Sequence, residues 1–213
     1  MNIACRRILL SGPRSPDDLL AEPRVEQRFD EDDYMPYWSD LWPASAGVAD
    51  YLLASGLRPV GPHRSALELG CGLGLAGVAA GMLGWQVIFT DYDVDALTYA
   101  MFNAAANGLE GHSARLVDWR RPPADLQADL VIAADVMYER KRREALLGCT
   151  WALLRGTGVA LFADPRREGA IGFADSAREA GFEVSHTHWA DRQHTGQTIP
   201  IDLFCLRKPA RYR

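Results

Sequence analysis

From Ala66 onward, short apolar runs alternate with longer segments whose apolar residues recur at helical spacing. Residues 66–69, 86–90, 114–117, 130–134 and 159–163 read as strands, with helical patterns over 75–83, 93–107, 142–154 and 170–180. A strand, a helix and a further strand in succession pack as a parallel crossover unit, so this alternation commits the chain to a doubly wound sheet. Two more strands, 182–187 and 199–206, follow with no helix between them. A short connection permits only an antiparallel return. The expected architecture is α/β, a doubly wound sheet of seven strands with helices on both faces and the last strand reversed.

The first 65 residues lack that rhythm. Residues 11–33 are rich in Pro and charge, and the whole of 1–33 reads as a partly ordered arm with room for a short edge strand. Tyr37, Trp38, Leu41 and Trp42 then cluster ahead of Pro43, which suits a first helical position because its missing N–H would be unpaired there anyway. Ala44, Val48, Tyr51 and Leu52 continue at helical spacing, and Gly56 stops the helix. We therefore expect one domain over 34–213, with 34–65 as a lid helix region and 66–213 as the sheet.

Composition excludes several functions. With 23 Lys plus Arg against 28 Asp plus Glu, the net charge is −5, unlike a dedicated nucleic-acid binder. Cys5, Cys71, Cys149 and Cys205 form no CxxC pair, so neither a zinc framework nor a secreted disulfide scaffold is expected, and reduced thiols fit a cytoplasmic location. The longest stretch of low charge, 66–89, contains Glu68 and six glycines and does not read as a membrane span. Arg6 and Arg7 interrupt the one apolar stretch at the N-terminus, which does not read as a signal peptide.

The turn after the first sheet strand reads Glu68-Leu69-Gly70-Cys71-Gly72-Leu73-Gly74. Ligands of open α/β sheets sit above the carboxyl ends of the strands, and glycines there let the backbone approach them closely. The GxGxxG phosphate register fails, because Leu75 stands at the third glycine's place. Glu68 suits a cationic ligand. Asp91, 21 positions after Gly70 at the end of the second strand, is placed to accept both hydroxyls of a ribose. Asp93 is the better helix cap of the two.

These residues carry a family resemblance. The segments YWSDLWPASAGVADYLL (37–53), ALELGCGLGLAGVAA (66–80), IFTDYD (88–93), VDW (117–119) and AADVMYE (133–139) resemble class I, seven-β-strand, S-adenosylmethionine-dependent methyltransferases. More narrowly they resemble methyltransferase family sixteen, which includes many protein-lysine methyltransferases. The resemblance implies a Rossmann-like fold with S-adenosyl-L-methionine as cofactor. It places Trp42 beside the cofactor, Glu68, Gly70, Cys71, Gly72 and Gly74 around its methionine part, and Asp91 with Tyr92 at its ribose. Asp118 and Trp119 flank the adenine, and Ala134 closes the pocket through its backbone.

Asp135-Val136-Met137-Tyr138 matches the family's DxxY signature. The resemblance makes Asp135 and Tyr138 the catalytic pair, orienting an acceptor amine rather than serving as obligatory bases. Val136 and Met137 stand where an adenine N6-methyltransferase would carry two prolines, which speaks against DNA or RNA as substrate. The implied reaction is N-methylation of a lysine in a protein partner. Arginine or a small molecule remains open as acceptor, and oligomeric state stays open too. A nicotinamide-dependent oxidoreductase is opposed by Glu68 and the broken glycine register, and a non-catalytic module by the intact DxxY.

Asp164-Pro165-Arg166-Arg167 resembles an Asp-Pro-Gly-Arg run of the electron-transfer-flavoprotein β-subunit lysine methyltransferases, with Arg166 at the glycine's place. Asp164 reads equally as a rim residue and as part of a strand-ending turn. The run from Arg140 to Arg143 reads as a solvated helix face, and Cys71 as a small residue packed under the ligand. His186 and His188 alternate along a strand without a ligand set, and no metal is expected. The arm and the loop 189–198 are expected to shape the acceptor pocket.

Overall fold

A computed structural model describes residues 1–15, 19–32, 34–194 and 197–212. A small antiparallel pair, β1 (Asn2–Ile3) and β2 (Arg6–Arg7), opens the chain, followed by helix α1 (Pro23–Asp32) and helix α2 (Pro43–Ser55). The main body runs β3 (Ser65–Leu69), α3 (Leu75–Gly81), β4 (Gln86–Asp91), α4 (Val94–Ala106), β5 (Ser113–Leu116) and β6 (Ala128–Ala134). It continues through α5 (Arg143–Leu153), β7 (Leu154–Asp164), α6 (Phe173–Glu179), β8 (Glu183–His194) and β9 (Gln197–Arg207). The sheet order is β5-β4-β3-β6-β7-β9-β8, with β9 antiparallel to both neighbours, as expected from the missing last crossover. Among the described residues no helix is long and apolar enough to cross a membrane.

The central strands read as continuous apolar runs because both faces are covered. Side chains alternate across the sheet with period two. Ala66, Leu130 and Ile132 meet α2, α3 and α4 on one face, while Leu67, Val131 and Ala133 meet α5 and α6 on the other. The order reverses between β3 and β6, so a cleft opens above their carboxyl ends.

The segment before α2 differs from the expected arm. The sequence reading has no helix before Pro43, yet α1 spans ten residues. Its signal is weak because ion pairs hold it as well as an apolar face. Arg24 reaches Asp95 at 2.7 Å and Arg28 reaches Asp93 at 3.0 Å, while Val25 is buried. Farther upstream, Ile3 and Ile8 are buried in the core face shared with α2. Residues 9–11 lie along α4 through a ladder of side-chain amides. Asn107 accepts the Leu9 N–H at 2.9 Å and donates to the Leu9 carbonyl at 2.7 Å. Asn103 does the same for Ser11, at 2.7 and 2.9 Å, and also donates to the Leu73 carbonyl at 2.9 Å.

The far end of the sheet also differs. The expected loop 189–198 is largely strand, since β8 runs to His194 and β9 begins at Gln197; residues 195–196 lie outside the described residues. Trp189 anchors this extension, packing edge-on against Tyr51 at 5.0 Å and donating to Asp50 at 3.2 Å, both on α2.

The start of α3 depends on Glu68. Gly74 has no side chain to cap this helix, and its first-turn N–H groups need acceptors. Glu68, 2% exposed, supplies them from the tip of β3: Oε2 accepts the Gly77 N–H at 2.9 Å, with the Ala76 N–H contributing. Burial pushes this carboxyl up to about 8. An unfolded glutamate titrates near about 4.3, so between these values the folded chain holds a proton that the unfolded chain has released. This contribution to stability is present below the unfolded value and is lost as pH rises through the folded one. Urea midpoints should therefore fall from pH 5 to pH 8, and Glu68→Gln should flatten that fall. A second expectation concerns packing. A Cβ at Gly77 would lie 2.4 Å from Phe89 and 2.6 Å from Glu68, so Gly77→Ala should cost about 1–3 kcal/mol by denaturant titration.

Candidate active site

The loop after β3 turns on three left-handed glycines, Gly70, Gly72 and Gly74, with φ of 63°, 49° and 79°. At Gly70 an added Cβ would lie 3.0 Å from Val136 and 3.3 Å from Trp119; at Gly72 it would lie 3.2 Å from the Trp38 carbonyl. The loop is thus wedged between the aromatic segment before α2 and the tip of β6. Asp91 ties it to β4. One carboxylate oxygen accepts the Gly72 N–H at 3.0 Å and the other accepts the Asp93 N–H at 3.1 Å. Burial raises this carboxyl to about 6, so at neutral pH it is mostly ionised. Each oxygen retains acceptor capacity, and the pair together match the two hydroxyls of a ribose.

The other cofactor-site residues of the sequence reading fall around this loop with separate roles. The Cys71 N–H donates to Thr90 at 2.9 Å, and burial holds its thiol well above the ordinary range, unlike an activated nucleophile. Tyr92 meets Tyr34 edge-on at 5.8 Å, and Trp119 packs beside Gly70. Asp118 is engaged by Arg120 at 2.7 Å, which holds its carboxyl below the usual range. Ala134 ends β6 opposite Ala163. Asp93 caps α4 as expected, accepting the Asp95 N–H at 2.8 Å, and it also takes Arg28 and the Tyr34 hydroxyl.

A cavity of about 220 Å³ lies at the tip of β6, lined by Tyr37, Trp42, Asp135, Tyr138 and Arg167. Three aromatic rings wall it. Tyr37 meets Trp42 at 6.1 Å and Tyr138 at 5.5 Å, both edge-on, and the Trp42 N–H is fixed on the Tyr37 carbonyl at 2.6 Å. Asp135 forms the floor in a left-handed conformation, φ 58°, which aspartate tolerates better than most residues. Its side chain is more committed than a DxxY reading implies. One oxygen accepts the Ala44 N–H at 2.7 Å in the first turn of α2, with the Ser45 N–H contributing, and the other takes Arg167. Burial raises this carboxyl, against the pull of Arg167. The Tyr138 phenol is pushed up to about 12, chiefly by burial and then by Glu139, so it stays protonated near neutral pH.

Tyr37 and Arg167 were legible only as members of YWSDLWP and DPRR, without a role. Arg167 lies over the Trp42 ring at 5.1 Å. The basic run is also less free than a solvated face. Arg143 donates to the carbonyls of Gly169 and Ile171, and Arg140 to that of Glu168. Strand alternation turns His186 and His188 together toward Asp202, at 3.1 and 3.2 Å, where Arg166 already makes two bonds of 2.9 Å. Arg166 adopts φ 62°, a conformation natural to the glycine it replaces in the related motif.

Comparison with known proteins shows the family and the fold. In Xenopus tropicalis, protein N-lysine methyltransferase METTL21A is 31% identical over 103 residues, covering 46% of each chain. The protein-lysine N-methyltransferase rrg1 of Schizosaccharomyces pombe is 29% identical, covering 64% of this chain and 51% of that one. The chain thus matches about half the length of these two relatives. A TehB-like SAM-dependent methyltransferase from Corynebacterium glutamicum superposes with a TM-score of 0.61 at 19% identity, over 91% of this chain and all of that one, and shares the fold. The model of the lysine methyltransferase family matches residues 26–178, and with the glycine loop, Asp91 and the Asp135–Tyr138 signature inside that span, the chain belongs to this family.

Proposed function

We propose that this protein is an S-adenosylmethionine-dependent N-methyltransferase that modifies the ε-amine of a lysine in a protein substrate, and that it works in the cytoplasm. The observation that carries the reading is the aromatic-walled, carboxylate-floored cavity of Tyr37, Trp42, Tyr138 and Asp135 at the tip of β6. Aromatic faces attract alkylammonium groups, and their apolar bodies exclude water. The free cysteines agree with a reducing compartment.

The residues beneath the cleft fit the cofactor. Gly70 and Gly72 keep side chains out of the loop, and Asp91 has acceptor capacity for a ribose diol. We assign Trp119 and Asp118 to the adenine edge and Ala134 to the pocket wall. When bound, S-adenosylmethionine supplies a methyl group on a sulfonium, already activated for in-line displacement. The protein therefore contributes mainly by position, an effect worth up to about 7–11 kcal/mol in favourable cases.

A lysine amine titrates near about 10.4 in water and must reach the methyl group unprotonated. The apolar aromatic walls favour loss of the proton, because burial penalises the charged form. The Tyr138 hydroxyl then accepts an amine N–H and aims the lone pair. Asp135 fixes the start of α2, and with it Trp42, rather than taking the proton.

Asp91→Ala should weaken S-adenosylhomocysteine binding about tenfold or more, read by calorimetry, because two charge-assisted hydrogen bonds are removed. Tyr138→Phe should keep that binding while lowering methyl transfer about tenfold or more. The acceptor is found by incubating the protein with methyl-labelled cofactor and cell lysate, then mapping label by mass spectrometry. Label on protein lysines is expected; label confined to small metabolites or to arginine would sink the lysine assignment.

A further inference from the structure

Arg167 stands between two carboxylates in adjoining cavities. In the first cavity its guanidinium pairs with Asp135 and lies over Trp42. These are the groups an incoming alkylammonium would use, a carboxylate and an aromatic face. The second cavity, about 350 Å³, is also lined by Arg167, together with Asp164 at the tip of β7. Asp164 is completely buried. The carboxylate accepts the backbone N–H of Arg167 at 2.7 Å through Oδ1, with the Arg166 N–H contributing, whereas Oδ2 makes no hydrogen bond of ordinary geometry among the described residues. A buried carboxylate oxygen without a donor is costly. The second cavity's other arginine, Arg166, already makes its two bonds to Asp202.

We propose that Arg167 is an exchangeable gate of the acceptor cavity: it occupies the cation position while the cavity is empty, and when the acceptor amine enters, its guanidinium swings to Oδ2 of Asp164. The inference rests on the lysine reading given above. One ion pair is exchanged for another, so the motion needs little net energy, and the second cavity supplies the room. Burial raises the Asp164 carboxyl only to about 6, so near neutral pH it is ionised and able to receive the guanidinium. The gate also selects. A cationic alkyl chain competes for Asp135 and Trp42, whereas a neutral molecule of the same shape has no charge with which to displace Arg167. Arg167 is a positioning residue, acting through the place it vacates.

The test uses n-butylammonium as a lysine side-chain probe, titrated into the full chain with and without S-adenosylhomocysteine. Binding is followed by NMR at the Arg167 Nε–H and the Trp42 indole N–H. In the wild type both resonances should move together. Arg167→Gln removes the competitor and should tighten probe binding about threefold or more, whereas Asp164→Asn removes the receiving oxygen and should weaken it by a similar factor. Opposite signs from two neighbouring substitutions are not expected of residues that merely support the fold. The far-ultraviolet spectra and the S-adenosylhomocysteine affinities of both variants serve as folding checks. An unchanged or weakened affinity in Arg167→Gln, or a wild-type affinity in Asp164→Asn, overturns the gate. Since the titration needs no methyl transfer, its outcome is independent of whether lysate label reaches lysine.

Discussion

Two buried carboxylates at strand tips hold the site together. Glu68 at the end of β3 and Asp135 just past β6 each accept N–H groups from the first turn of a helix, α3 and α2 respectively. Helix N-termini carry unpaired N–H donors, so a carboxyl oxygen placed there satisfies groups the helix itself cannot. The two strands are neighbours at the point where sheet order reverses. The same interaction, made twice, therefore fixes the glycine loop on one side of the cleft and the aromatic wall on the other. Asp91 adds a third link by joining the loop to the end of β4. The geometry of the cleft thus rests on buried carboxyl groups that join strand tips to helix starts.

This arrangement explains which parts of the molecule were readable in the sequence. Strands such as Ala128–Ala134 announced themselves because burial on both faces demands continuous apolar residues. Asp93 was legible as a cap because it sits directly before its helix and bonds two residues ahead. Glu68 and Asp135 were legible as polar residues in unusual places, but not as caps: their partners lie nine and 91 positions away in the chain. The same limit hid α1, where Arg24 and Arg28 act on carboxylates more than sixty residues downstream. Local periodicity records what a residue buries. It does not record a charge that a distant element needs.

The aromatic-walled cavity was half legible for a related reason. Trp42 and Tyr138 lie in recognisable motifs, and the structure brings them together with Tyr37 and Arg167 from separate segments. Of the segment 189–198, Trp189 turns to Tyr51 and Asp50 on α2, while the side chains of 190–197 lie outside the described residues. Its effect on the cavity passes through the helix that Asp135 caps.

The amide ladder that binds residues 9–11 to Asn103 and Asn107 has a consequence for how the molecule assembles. Its contacts span 92 and 98 positions, so the entropy of closing that loop must be met before any bond is gained. Neither asparagine is in place until α4 has formed, and Asn103 also grips the glycine loop. Residues 9–11 are thus synthesised well before α4, yet they find their place only after it has folded.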